Sequence, residues 1–196
     1  MKKLIRWMVI ALLLLPLAGL SAEGEVWDSL YKPRDVSLSA GVGFLAFNQN
    51  VSLAAYPEAE VILKEFIISK MVPLEVGAAV SGFISLFNES TAGLTYGWLA
   101  FGGGAFGTVH FTFRGSDLNI PAFFEKFDFY SAMGLVFTYF TYTGDWGSRS
   151  KYEDTGLGFA SSGGISYFLK DNLAVFLEGS YWDYGGGATA GVLLKL

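Results

Sequence analysis

The chain has no cysteine, a single histidine and only one long hydrophobic run, and each scarcity closes off a class of protein. Without cysteine there is neither a disulfide framework nor a lipid-modified N-terminal cysteine. With His110 as the sole histidine, any acid–base or metal proposal has to run through that residue. No second apolar stretch is long enough for a membrane helix.

The one apolar run stands at the start. Lys2, Lys3 and Arg6 precede Trp7 to Leu20, and Leu-Ser-Ala at 20–22 offers a small residue at the cut. Residues 1–22 therefore read as a cleaved secretory signal peptide. The run is about 14 residues, short of the roughly 20 that span a bilayer as helix. Of thirteen basic residues, ten remain after Lys2, Lys3 and Arg6 are removed, against eighteen acidic, a net charge of −8 for the mature chain. That balance argues against nucleic acid as a partner and against electrostatic docking on anionic lipid.

What remains is unusually apolar: 17% aromatic residues with a positive mean hydropathy. Alternation reconciles this with the missing helices. At the C-terminal end Leu173, Val175, Leu177 and Tyr181 alternate with Ala174, Phe176, Glu178, Ser180 and Trp182. Gly185 to Gly187 then supply a tight reversal, and Ala188, Ala190, Val192, Leu194 and Leu196 alternate with Thr189, Gly191, Leu193 and Lys195. A two-residue period is a strand period. A final strand left as an open edge would invite aggregation, so the pattern calls for closure. A transmembrane barrel turns its apolar residues out to lipid and satisfies every backbone group by closing. The soluble alternative is a barrel with an apolar interior.

The same alternation sets six further strands. Residues 36–47, 52–64, 73–87, 97–114, 126–142 and 155–169 read as strands, followed by the closing hairpin, for an even count of eight. Residues 65–72 break the period, and 115–124 form a turn around Pro121. Connections at 48–51, 88–96, 143–154 and 184–187 gather at one end, with 143–154 the longest polar loop. Residues 23–35 are read as a periplasmic lead-in or a short interfacial segment, and 36–196 as the barrel.

Thr189, Gly191, Leu194 and Leu196 sit at the spacing polar-x-Gly-x-x-hydrophobic-x-hydrophobic, which resembles the C-terminal insertion signal of bacterial outer-membrane barrels; the family usually ends on Phe where this chain ends on Leu196. Together with the periodicity over 36–196, this resembles the small eight-stranded OmpW, OmpX and OmpA-transmembrane-domain class. The resemblance implies an all-β, eight-stranded antiparallel up-and-down transmembrane barrel in the bacterial outer membrane, with lipid and the barrel-assembly machinery as partners.

Parity places two sets of side chains inside. Phe47, Trp98, Phe140, Tyr142, Trp182 and Tyr184 line the outer mouth, where an aromatic concavity suits a small hydrophobic solute. Glu58, Glu60, His110, Arg114, Lys126, Asp128, Glu178 and Lys195 form an interior polar network, joined by Lys64 and Glu75; charges of both signs in a filled barrel should pair. Gly102, Gly104 and Gly107 spell G-x-G-x-x-G, but Thr108 to Arg114 alternates by two where a dinucleotide site needs a helix. Lipid A palmitoyltransferases and deacylases resemble this architecture, but their catalytic groups lie at the extracellular side, whereas His110 falls near a periplasmic turn. Ser116 and Asp117 lie beyond that turn with no nucleophile motif. The expectation is a non-enzyme without cofactor, either structural or a narrow channel or passive carrier for small hydrophobic solutes. A surface adhesin is the alternative, with lipid A modification through His110 ranked below it.

Overall fold

A computed structural model describes residues 29–47, 50–68, 72–91, 94–114, 119–146, 149–182 and 185–196. The signal-peptide reading of 1–22 falls outside these residues, as do Ser116, Asp117 and Tyr184. Eight strands follow one another: β1 (Val36–Phe47), β2 (Asn50–Ile68), β3 (Val72–Thr91), β4 (Leu94–Thr112), β5 (Phe127–Trp146), β6 (Arg149–Lys170), β7 (Leu173–Trp182) and β8 (Gly185–Lys195). Each pairs antiparallel with its neighbours in sequence, and β8 pairs with β1 from Ser37↔Lys195 to Ala46↔Gly186. The sheet is a closed up-and-down transmembrane barrel, and closure removes the edge that a C-terminal strand would otherwise expose.

The alternation read from the sequence decides which side chains meet lipid. Val42, Leu53, Leu86, Leu157 and Leu177 point outward and are 62–76% exposed. Their neighbours point inward, where Ser37, Glu60, Glu75, Thr108, His110 and Asp128 are all buried. Apolar groups outside and carboxylates inside is the reverse of a soluble barrel, so the soluble alternative fails on side-chain orientation.

Three sequence expectations need correction. In the described parts of 88–96 and 143–154 the chain is strand and not loop, because β3 and β4 pair up to Thr91↔Leu94 and β5 and β6 up to Trp146↔Arg149. Polar composition there reflects strands that stand clear of the apolar belt, whose ladders need no greasy face. The shape of 65–72, which the broken period leaves open, is strand at 65–68 and 72: β2 continues to Ile68 past a bulge between Ile62 and Lys64, and the third correction, to Lys64, follows from that bulge. That extra residue shifts parity by one. Lys64 consequently pairs with the outward Val76, is exposed, and caps the Phe66 ring at 4.9 Å instead of pointing inward.

Glycine is required at the closing seam. Gly41 and Gly191 face each other across β1 and β8 beneath Phe176. A Cβ on Gly191 would lie 2.3 Å from the Ala40 carbonyl oxygen and 2.6 Å from the Phe176 ring. The first and last strands close because neither carries a side chain there.

Candidate functional site

The barrel interior is stacked in three layers, which can be read down β2. Ala54 and Tyr56 belong to an apolar layer near the hairpin end, Glu58 and Glu60 to a polar layer, and Ile62 to a second apolar layer at the end bearing the termini.

His110 is the centre of the polar layer. Its Nε2 lies 2.8 Å from Glu60 Oε1 on β2 and its Nδ1 3.0 Å from Asp128 Oδ2 on β5. With a carboxylate on each ring nitrogen, the imidazole can donate to both only as the cation. The Thr108 hydroxyl also donates to Glu60, with Ser37 at 3.5 Å on its other oxygen. Higher up, Glu178 accepts from Tyr130 and Ser162, and Glu58 from Ser81. Glu75 is fully buried and neither of its oxygens has a partner of good geometry. A gap of about 20 Å³ among Glu58, Glu178, Tyr130 and His110 has room for a water or two and nothing larger.

The end bearing the termini is closed by the chain itself. Residues 29–31 tuck inside the wall, leaving Leu30 at 2% and Tyr31 at 0% exposure, while Lys32, Pro33 and Arg34 stay exposed. The Tyr31 ring packs 4.8 Å from the His110 ring and edge-on to Phe168, while its hydroxyl donates to Asp128 at 3.4 Å. Tyr130 also stacks with the His110 ring, at 5.7 Å. This strap is fastened by backbone bonds to the bulged strand, Arg34 N–H to Ile62 O at 2.8 Å and Ile62 N–H to Asp35 O at 2.9 Å, with Arg34 at a φ of 79°. Lys195 Nζ completes the clasp, donating to Leu30 O at 2.7 Å and lying 3.5 Å from Asp35. The lead-in is thus a stopper, a role that its polar, Pro-broken sequence does not announce.

The structure divides the expected polar network. Glu58, Glu60, His110, Asp128 and Glu178 face the interior, and Lys195 lies at its lower edge. Arg114 does not join them: it sits past the end of β4 in an ion pair with Asp171 at 3.0 Å on the rim. Lys126 is exposed on a short 3₁₀ helix, Ala122–Lys126, because β5 begins one residue later than its alternation implies.

The aromatic mouth is likewise filled. Trp98 packs 5.4 Å from Phe140, and Tyr142 borders the same cluster. Trp182 lies edge-on to Phe83 at 4.6 Å and to Phe106 at 6.0 Å. Phe83 and Phe106 share the inward parity of their strands and were the signal that the mouth is a plug. For Phe47 only the backbone is described, as the last residue of β1. A gap of about 20 Å³ remains between Leu45, Phe83, Phe140 and Trp182. The three glycines at 102, 104 and 107 lie within β4, so no helix follows them. Among the described residues no cluster of His, Asp and Glu could hold a metal ion. Thr189, Gly191 and Leu194 lie on β8, and the Leu196 amide donates to Val36 O at 2.8 Å.

No family model matches the chain, and no curated protein does either. Solved structures do. The attachment invasion locus protein Ail of Yersinia pestis superposes with a TM-score of 0.53 at 10% identity, covering 84% of this chain and all of that one. The same protein bound to the heparin analogue sucrose octasulfate gives 0.54 at 11%, with the same coverage. The N-terminal β-barrel domain of Pseudomonas aeruginosa OprF gives 0.50 at 14%, covering 84% and 98%. At these identities the likeness is one of fold, that of small eight-stranded outer-membrane barrels.

Proposed function

We propose that the protein is a structural barrel of the bacterial outer membrane whose lumen does not conduct and which carries out no chemistry. The observation that carries this reading is the double closure of the interior. Trp182, Phe83 and Phe106 fill one half, Tyr31 and Leu30 stop the other, and among the described residues the gap in the polar layer between them is water-sized. His110 supports the non-enzymatic reading, since both ring nitrogens are engaged by carboxylates and its ring packs against those of Tyr31 and Tyr130. The outward belt supports the membrane seating, with lipid as the partner of the wall. Delivery by the barrel-assembly machinery would use the segment carrying Thr189, Gly191, Leu194 and Leu196. Passage of a small hydrophobic solute through the mouth requires the aromatic plug to move, which places the carrier reading below the structural one.

Planar-bilayer recording tests this. The unaltered protein should give no conductance steps, and the combined Tyr31→Ala, Phe83→Ala and Trp182→Ala variant should give them. Steady steps from the unaltered protein would overturn the reading.

A second reading, surface adhesion, is favoured by one observation. The last β6–β7 pair is Ala160↔Trp182, so residues 149–159 of β6 rise beyond β7 with β5 as their ladder partner. A tall hairpin offers contact surface that short loops do not. Replacing 143–154 by a Gly/Ser linker should abolish binding to host cells if this role is real and leave it unchanged if the barrel is only structural.

A further inference from the structure

The 3₁₀ helix Ala122–Lys126 buries none of its residues in the protein, yet two of the five are phenylalanines. Phe123 is 56% and Phe124 42% exposed. They are the tip of a continuous aromatic surface on the outside of the barrel. Phe123 lies 4.9 Å from Phe127 and 5.7 Å from Tyr167, and Phe124 reaches Phe113 at 6.4 Å. No protein core is there to receive these rings, and phenylalanine left in water is costly.

The opposite side of the same rim is built differently. On β7, β8 and β1 the outward residues toward the termini are Leu173, Val175, Leu194, Leu196, Val36 and Leu38, all aliphatic and all but the half-buried Leu173 more than a third exposed. Aromatic rings favour the boundary between headgroups and acyl chains, whereas leucine and valine favour the hydrocarbon interior. One rim therefore carries two different depth preferences.

We propose that residues 119–127 form a one-sided membrane foot, lying in the headgroup–acyl boundary of the leaflet at the terminus end and fixing the depth of the β4–β6 side. The partner is phospholipid. Two features of the surface favour lipid over a second copy of the chain: the patch is continuous with the outward belt, and it ends in charges at headgroup level, Glu125 and Lys126 on the helix and the Arg114–Asp171 pair beside it. The inference rests on the membrane seating proposed above and adds a specific contact to it.

The absence of cysteine makes the test direct, since any introduced thiol is unique. Phe123→Cys, Phe124→Cys, Lys126→Cys and Leu135→Cys are each nitroxide-labelled in full-length protein in phosphatidylethanolamine/phosphatidylglycerol vesicles. Collision with oxygen and with a water-soluble nickel chelate then reports depth. Labels at 123 and 124 should show an oxygen-to-nickel ratio severalfold above that at 126 and below that at 135. A nickel accessibility at 123 and 124 equal to that at 126 would place the helix in water, and shielding from both reagents would place it under protein; either overturns the foot. If the label at 135 also behaves as aqueous, the membrane seating itself fails, so the two failures are distinct.

Discussion

Lys195, the last residue of the closing strand, donates its ammonium to the carbonyl oxygen of Leu30 at 2.7 Å. The end of the barrel thus holds down the segment that precedes its beginning. The bond explains how a short strap keeps Tyr31 inside a polar cavity where its hydroxyl and ring both find partners.

Tyr31→Ala should cost about 3 kcal/mol, the usual range for deleting a fully buried aromatic ring. Urea unfolding in phospholipid vesicles measures it. An unchanged midpoint would mean that the strap does not occupy its seat.

His110→Leu should destabilise the barrel by about 3–5 kcal/mol, because it strands two buried carboxylates without a counter-charge. Adding Glu60→Gln and Asp128→Asn to that variant should recover most of the loss. If the triple variant is no more stable than His110→Leu alone, the ring is not what neutralises those carboxylates.

Gly191→Ala should impair closure, since the new methyl meets the Ala40 backbone as well as the Phe176 ring. A loss of about 1–3 kcal/mol is expected for such overpacking. Heat-modifiable gel mobility reads it out, and Phe176→Leu should rescue only part because the backbone clash remains. Full stability in Gly191→Ala would show that the seam has room to spare.

Leu135→Arg tests the outward belt. A cation at mid-membrane on a barrel wall costs about 2–4 kcal/mol, and Lys64→Leu, at an exposed rim position, should change stability by less than about 1 kcal/mol. Equal effects from the two substitutions would contradict the lipid-facing orientation of β5.

The barrel was legible in the sequence wherever pairing ran without interruption. From Leu173 to Trp182 and from Gly185 to Leu194 the inward and outward residues follow from the two-residue period, because the pairing of those strands contains no bulge. Lys64 was misplaced because one additional residue at Ile62 reverses parity, and alternation carries no marker for such an insertion. Lys126 was misplaced by a single residue of strand boundary. The hairpins beyond Phe87 and Tyr142 read as loops since ladders outside a membrane need no apolar face. His110 was placed inside by parity, but its partners come from β2 and β5, and only the register brings Glu60 and Asp128 to its two nitrogens. Tyr31 had no signal at all, because its seat is made of residues distant in sequence.

That seat has an implication for the order in which the molecule forms. Tyr31 contacts side chains from β4, β5, β6 and β8, and the clasp of Lys195 comes from the strand that closes the barrel onto β1. The β1–β8 seam also joins residues as far apart as the chain allows, and contacts of such separation form slowly. The clasp requires β8 to be in place beside β1, so the seat of the strap is complete only in the closed barrel. The stopper is therefore a property of the finished ring of strands and not of any one hairpin.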